Sequence, residues 1–126
     1  MAQIDLSFEH WPVVITTTPS VPVDDAELTA YIDHWASGIA ARKGPYVGVI
    51  DLSNSAGLAP HQRKTIVGSM NDDAHGILPR CRGTALVFQS AVLRGMLTAM
   101  LWVRPPTYPV KIFGSREQAL AWRDAS

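Results

Sequence analysis

Four short apolar runs, each separated from the next by a stretch of helical periodicity, leave this chain few folds to choose from. The runs are Val13–Thr18, Tyr46–Leu52, Thr84–Gln89 and Val110–Phe113. Their length and their content of β-branched and other apolar residues predict strands. Tyr46–Leu52 is apolar almost throughout, apart from Asp51, and reads as a central strand covered on both faces. Strands that alternate with helices call for a mostly parallel sheet with right-handed crossovers. Ahead of the first run, Ile4, Leu6 and Phe8 alternate with polar residues, which predicts one more strand. The turn residues His10-Trp11-Pro12 would join it, antiparallel, to Val13–Thr18. The predicted order is ββαβαβαβα, an α/β domain with a mixed sheet of four or five strands and helices mainly on one face.

The helices carry their own signals. Asp24 followed by Glu27 predicts a capping box. Leu28, Tyr31, Ile32, Trp35, Ile39 and Ala40 then fall on one face, with Arg42 and Lys43 at the negative end and Gly44 as a left-handed stop. Pro60 suits the first turn of a second helix striped by Ile66, Val67, Met70, Ala74, Ile77 and Leu78, with Gly76 as its terminator. Ser90 caps a third helix, in which Val92, Leu93, Met96, Leu97, Met100 and Leu101 make a broad apolar face. Arg104-Pro105-Pro106 ends it. Ser115 and Gln118 form a second capping box that opens a short final helix through Ala119, Leu120 and Trp122.

Composition narrows the function. With 126 residues, 47% of them hydrophobic and 17% charged, the chain is expected to form a single domain over residues 1–126. Eleven basic residues balance eleven acidic ones and are scattered along the chain, so the basic footprint of a nucleic-acid binder is missing. Met1 to Leu6 has no basic n-region, and the most apolar segment, Val92 to Val103, is interrupted by Arg94 and too short to span a bilayer. Neither a signal peptide nor stable membrane insertion is expected. A lone cysteine, Cys81, cannot close an internal disulfide, which fits a reducing cytoplasm.

The element order, with Asp51-Leu52-Ser53 ending the central strand, resembles the STAS fold of the anti-sigma-factor antagonists. The segments Gly83-Thr84-Ala85-Leu86-Val87-Phe88, Leu93-Arg94-Gly95-Met96-Leu97 and Val110 to Trp122 resemble bacterial SpoIIAA-like (STAS/SEC14-like) proteins more closely. The resemblance covers nearly the whole chain. It implies a non-catalytic regulatory or protein-interaction module, with a serine after the central strand phosphorylated by a partner kinase. Here that serine falls in Ser55-Ala56-Gly57-Leu58, where the antagonists have an Asp-Ser-Ser-Gly-Leu type of motif, so the phosphosite carries over to Ser55.

Chemistry in such sheets gathers at the carboxyl ends of the strands, here at 53–59, 89–90 and 114–115. A phosphate on Ser53 or Ser55 would meet the positive end of the following helix; small residues in that loop also suit plain turn formation. His61, Asp72, Asp73 and His75 contain a possible ligand set, but only Asp72 and His75 share a helical face, and no metal or cofactor is expected. A nucleophile–base arrangement of Ser53 with His61 would make a hydrolase, without any of the sequence elbows or phosphate loops that mark common enzymes. Met96, Met100 and Trp102, with Arg94 as a polar anchor, form either an adaptable interface or a helix covered by its own domain. The expectations are therefore a protein partner or self-association, or else an apolar small ligand or lipid held as in the Sec14 relatives.

Overall fold

Alternation in the first two strands closes a hairpin. β1 (Asp5–Ser7) pairs antiparallel with β2 (Val13–Thr17), Leu6 lying opposite Thr16. From β2 onward every pairing is parallel: β3 (Tyr46–Asp51), β4 (Cys81–Val87) and β5 (Val110–Phe113) follow in spatial order β1-β2-β3-β4-β5. The computed structural model describes residues 4–53, 59–73, 76–92, 94, 95, 98, 99 and 109–125. The sheet has five strands and is mixed, as the pattern of runs predicts.

The two crossovers that carry described helices step the same way across the sheet. α1 (Asp25–Ala40) links β2 to β3, and α2 (Pro60–Asp72) links β3 to β4. Right-handedness then puts both on one face. Backbone at residues 91, 92, 94, 95, 98 and 99 is helical, and α3 (Arg116–Ala125) closes the chain. Register sorts the core into two layers. Val14 packs with Ile39, Tyr46 and Ile77 on the α1 side, where Trp11 stacks on Tyr46 and Trp35 meets it edge-on. Val13, Val49, Ala85 and Val87 pack with Ala119 of α3 on the opposite face, next to Phe113 and Trp122. Full burial of a valine or isoleucine contributes roughly 1.5–3 kcal/mol, so both layers count. Gly83 is part of the second layer: a Cβ there would lie 2.8 Å from Cη2 of Trp122, so the indole rests directly on β4 backbone.

The helix ends differ from expectation through contacts from across the chain at α1 and from the next few residues at α2. Asp24 caps α1, accepting from the Glu27 N–H at 2.7 Å, but the capping box is one-sided, because Oε2 of Glu27 is buried without a hydrogen-bond partner. Ala40 is exposed rather than part of the apolar stripe. The helix closes on Ala41 in right-handed geometry, and Gly44, with φ +90°, serves the turn into β3 instead. Arg80 supplies the missing cap from outside, donating to the carbonyls of Ile39, Arg42 and Gly44 at 3.3, 2.8 and 2.8 Å.

α2 stops at Asp72, before the predicted Gly76 terminator, on a left-handed Asp73 with φ 41°. Asp73 stabilises that break itself: Oδ1 accepts from the N–H groups of Ile77 and Leu78 at 2.9 and 3.3 Å. Ile77 and Leu78 thus leave the helix, Ile77 to enter the core and Leu78 to open a 3-10 turn. β4 begins at Cys81, three residues before the predicted Thr84, since Tyr46 and Cys81 are already paired across a register shift. In α3 the Ser115 hydroxyl accepts from the Gln118 N–H at 3.3 Å, while Oε1 of Gln118 reaches one residue further back, to the N–H of Gly114, at 3.1 Å.

Candidate functional site

Four strands deliver their last residues to one edge of the sheet, and the ends are stitched by backbone hydrogen bonds. Thr18 N–H donates to the Asp51 carbonyl, Leu52 N–H to Val87 and Phe88 N–H to Phe113, at 3.1, 2.9 and 2.9 Å. The side chains follow from the register. Thr17, Asp51, Val87 and Phe113 are laterally aligned, so all four point to the α3 face. Arg116, in the first turn of α3, therefore meets two of them. Its Nη2 donates to Oγ1 of Thr17 at 2.8 Å and forms an ion pair with Oδ2 of Asp51 at 3.2 Å. The other carboxylate oxygen of Asp51 accepts the Ser53 N–H at 3.0 Å. One arginine thus holds the ends of β2 and β3, and the start of the following loop, against α3. Thr17 and Arg116 lie 99 residues apart in the chain, and no local pattern announces their meeting.

Arg94 works on the neighbouring connection. Its Nη1 donates to the carbonyls of Phe88 and Gln89 at 2.7 and 2.8 Å, holding the β4 exit against its own helical stretch. The large hydrophobic side chains most exposed among the described residues stand in connections leaving this edge: Val92 at 74%, and Val21, between β2 and α1, at 49%.

The two helix starts at this edge are also joined. Oδ1 of Asp25 accepts from Nε2 of His61 at 2.8 Å and from Nε2 of Gln62 at 3.1 Å. Gln62, only 6% exposed, also donates to the Val23 carbonyl at 2.7 Å and accepts from the Ala59 N–H at 3.0 Å. The bonds from His61 and then Gln62 hold the Asp25 carboxyl below its ordinary value of 3.8.

Of the residues named from sequence, Ser53 and Arg94 stand at this edge, while Ser55, Met96, Met100 and Trp102 lie outside the described residues. His61 is bonded to Asp25, and Ser53 to Asp51 through its backbone, so no described hydrogen bond assembles a Ser53–His61 pair. Of the acidic and histidine cluster, Asp73 is engaged with backbone, and the side chains of Asp72 and His75 lie outside the described residues. Among the described residues no group of three or more metal-ligating side chains converges, and no helix is long and apolar enough to cross a membrane.

No protein-family model matches the chain, and no curated protein sequence does. Among solved structures it is similar to an uncharacterized protein of the DUF3478 family from Shewanella loihica PV-4, described as having a SpoIIAA-like fold. The two share 18% identity, and the superposition has a TM-score of 0.72 over 97% of this chain and 94% of that one. The chain has the SpoIIAA-like fold. Within that fold the Asp51–Arg116 clamp is a residue-level feature that sequence reading missed. Its one visible trace was an acidic residue closing an otherwise apolar strand. In this SpoIIAA-like domain the β3–α2 connection, which leads from Asp51 through Ser53 towards Pro60, leaves the same edge as Arg94 and Val92.

Proposed function

We propose that the protein is a cytoplasmic, non-catalytic interaction module of the STAS anti-sigma-antagonist type, which docks a protein partner at the carboxyl edge of its sheet. In this reading the serines of the β3–α2 connection, Ser53 and Ser55, are where phosphorylation controls docking. The observation that carries it is the coincidence, at one edge of a SpoIIAA-like fold, of that serine-bearing connection with Val92 at 74% exposure. The helical stretch that begins at 91 and the connection that carries Ser53 leave the same end of the sheet, so one partner could touch both. The chemistry at the edge agrees: Arg116, Arg94, Asp51 and Gln62 are engaged in holding structure together.

Light scattering and native mass spectrometry on the purified protein, followed by affinity capture with the parent chain and Val92→Asp, test the reading. A stoichiometric protein partner, or a second copy of the chain, that is retained by the parent and lost from the variant supports it. A strict monomer that captures no partner overturns it, and a co-purified apolar ligand would make the protein a carrier instead.

A further inference from the structure

The clamp at the sheet edge has unused capacity. Arg116 reaches Thr17 and Asp51 through Nη2 alone, whereas a guanidinium carries five N–H donors. Among the described residues Nη1 and Nε of Arg116 make no hydrogen bond, and the side chain is 43% exposed against 16% for Asp51. Ser53 is bonded to the other oxygen of the same carboxylate, by its N–H to Oδ1 at 3.0 Å. A negative group on Ser53 would therefore be repelled by Asp51 and attracted by Arg116. With the arginine in place the attraction opposes the repulsion; without it only the repulsion remains.

Building on the docking reading above, we infer that Arg116 is the reader of a phosphoryl group on Ser53, binding it through the free edge of its guanidinium while Nη2 keeps Asp51 and Thr17. A phosphoserine carries about −1.5 to −2 charges at neutral pH and three acceptor oxygens, and the arginine fork suits such a group better than a lysine ammonium does. Modification of the β3–α2 connection is thereby transmitted to the first turn of α3, on the far face of the sheet from α1.

The test is a double-mutant cycle on the purified full chain, with and without phosphoserine encoded at position 53, in the parent and in Arg116→Gln. Hydrogen exchange at the Ala119 and Leu120 amides reports how firmly the start of α3 is held. The effect of the phosphate on that exchange is expected to differ about two- to fivefold between the two backgrounds, protective only in the parent, a range typical of an exposed charge pair. Arg116→Lys, which keeps the charge but not the fork, should fall between them and serves alone should the glutamine variant not fold. In about 1 M NaCl the difference should collapse. An equal effect of phosphate in every background, or a difference that high salt leaves unchanged, overturns the inference. No partner takes part in this measurement. A null cycle alongside intact partner capture therefore refutes the reader alone, and a positive cycle without capture refutes the docking alone.

Discussion

Nε2 of Gln62 donates to the Val23 carbonyl at 2.7 Å, tying the start of α2 to the residue that precedes the cap of α1. The same side chain serves Asp25 and Ala59, so a buried amide is satisfied at both ends. Gln62→Ala removes all three bonds and leaves the Val23 carbonyl unmatched in the interior. A loss of about 2–3 kcal/mol in stability is expected from urea unfolding. A change within a few tenths of a kcal/mol would mean that water replaces the amide without cost.

The neighbouring Asp25–His61 pair contributes to the behaviour in acid. The carboxyl of Asp25 is held below 3.8 by hydrogen bonds from His61 and Gln62, so the native state binds its proton later than the unfolded chain does. Stability from this group is complete above 3.8 and is lost as pH falls through the lower native value. Asp25→Asn should therefore show a shallower loss of stability below about pH 4 than the parent. Parallel acid limbs in the two proteins would contradict the assignment.

Tyr31 predicts the opposite limb. Its hydroxyl shares a 2.7 Å hydrogen bond with Oγ1 of Thr16, itself 3% exposed, and burial pushes the phenol above its ordinary 10.0. The stability it contributes is present below pH 10 and lost as pH rises through the native value. Tyr31→Phe should cost about 1–2 kcal/mol at neutral pH by leaving the Thr16 hydroxyl unpaired. It should also flatten the alkaline fall in stability, which a guanidinium titration at several pH values would show.

Gly38 lies under the ring of Phe8, and a Cβ added there would overlap the ring edge. The ring in turn lies beneath the guanidinium of Arg42, 4.2 Å from its centroid. Gly38→Ala gains helix propensity of about 1 kcal/mol but forces the ring to move. A net loss of about 1–2 kcal/mol is expected from overpacking. Phe8→Leu in the same chain should relieve it, which thermal unfolding of the single and double variants would reveal.

Arg80 gives a test that separates charge from shape. Three carbonyls at the end of α1 share its guanidinium. Arg80→Ala should destabilise by about 1–3 kcal/mol, and Arg80→Lys should recover only part, since one ammonium cannot span three acceptors in that plane. Full recovery by lysine in a denaturant titration would show that charge alone suffices.

Much of the architecture was legible because it rests on local periodicity. The runs at 13–18, 46–52 and 110–113 are strands in the structure, and the Asp24 and Ser115 caps act where expected. The departures have two causes: an interaction from elsewhere in the chain, or an unusual local geometry. Periodicity predicts α2 as far as Gly76, because Ile77 and Leu78 continue its stripe. Asp73 instead turned left-handed, bonded the next N–H groups and released Ile77 into the core. His61 is by residue type a candidate base or ligand, whereas Gln62 beside it, unremarkable in sequence, is the buried member of the pair.

The order of strands and helices, and the end of the sheet at which loops gather, were determined by the sequence alone. Side-chain period acts within a few residues and crossover handedness within one strand–helix–strand unit, and together they leave few alternatives. Which side chains meet at that edge was decided only by tertiary structure. Arg116 reaches Thr17 and Asp51 there, and at the opposite end of the sheet Arg80 reaches the end of α1, across separations at which chain pattern carries no information. Parallel register aligned the strand ends, and packing of α3 on the far face brought its first turn within hydrogen-bond distance of them.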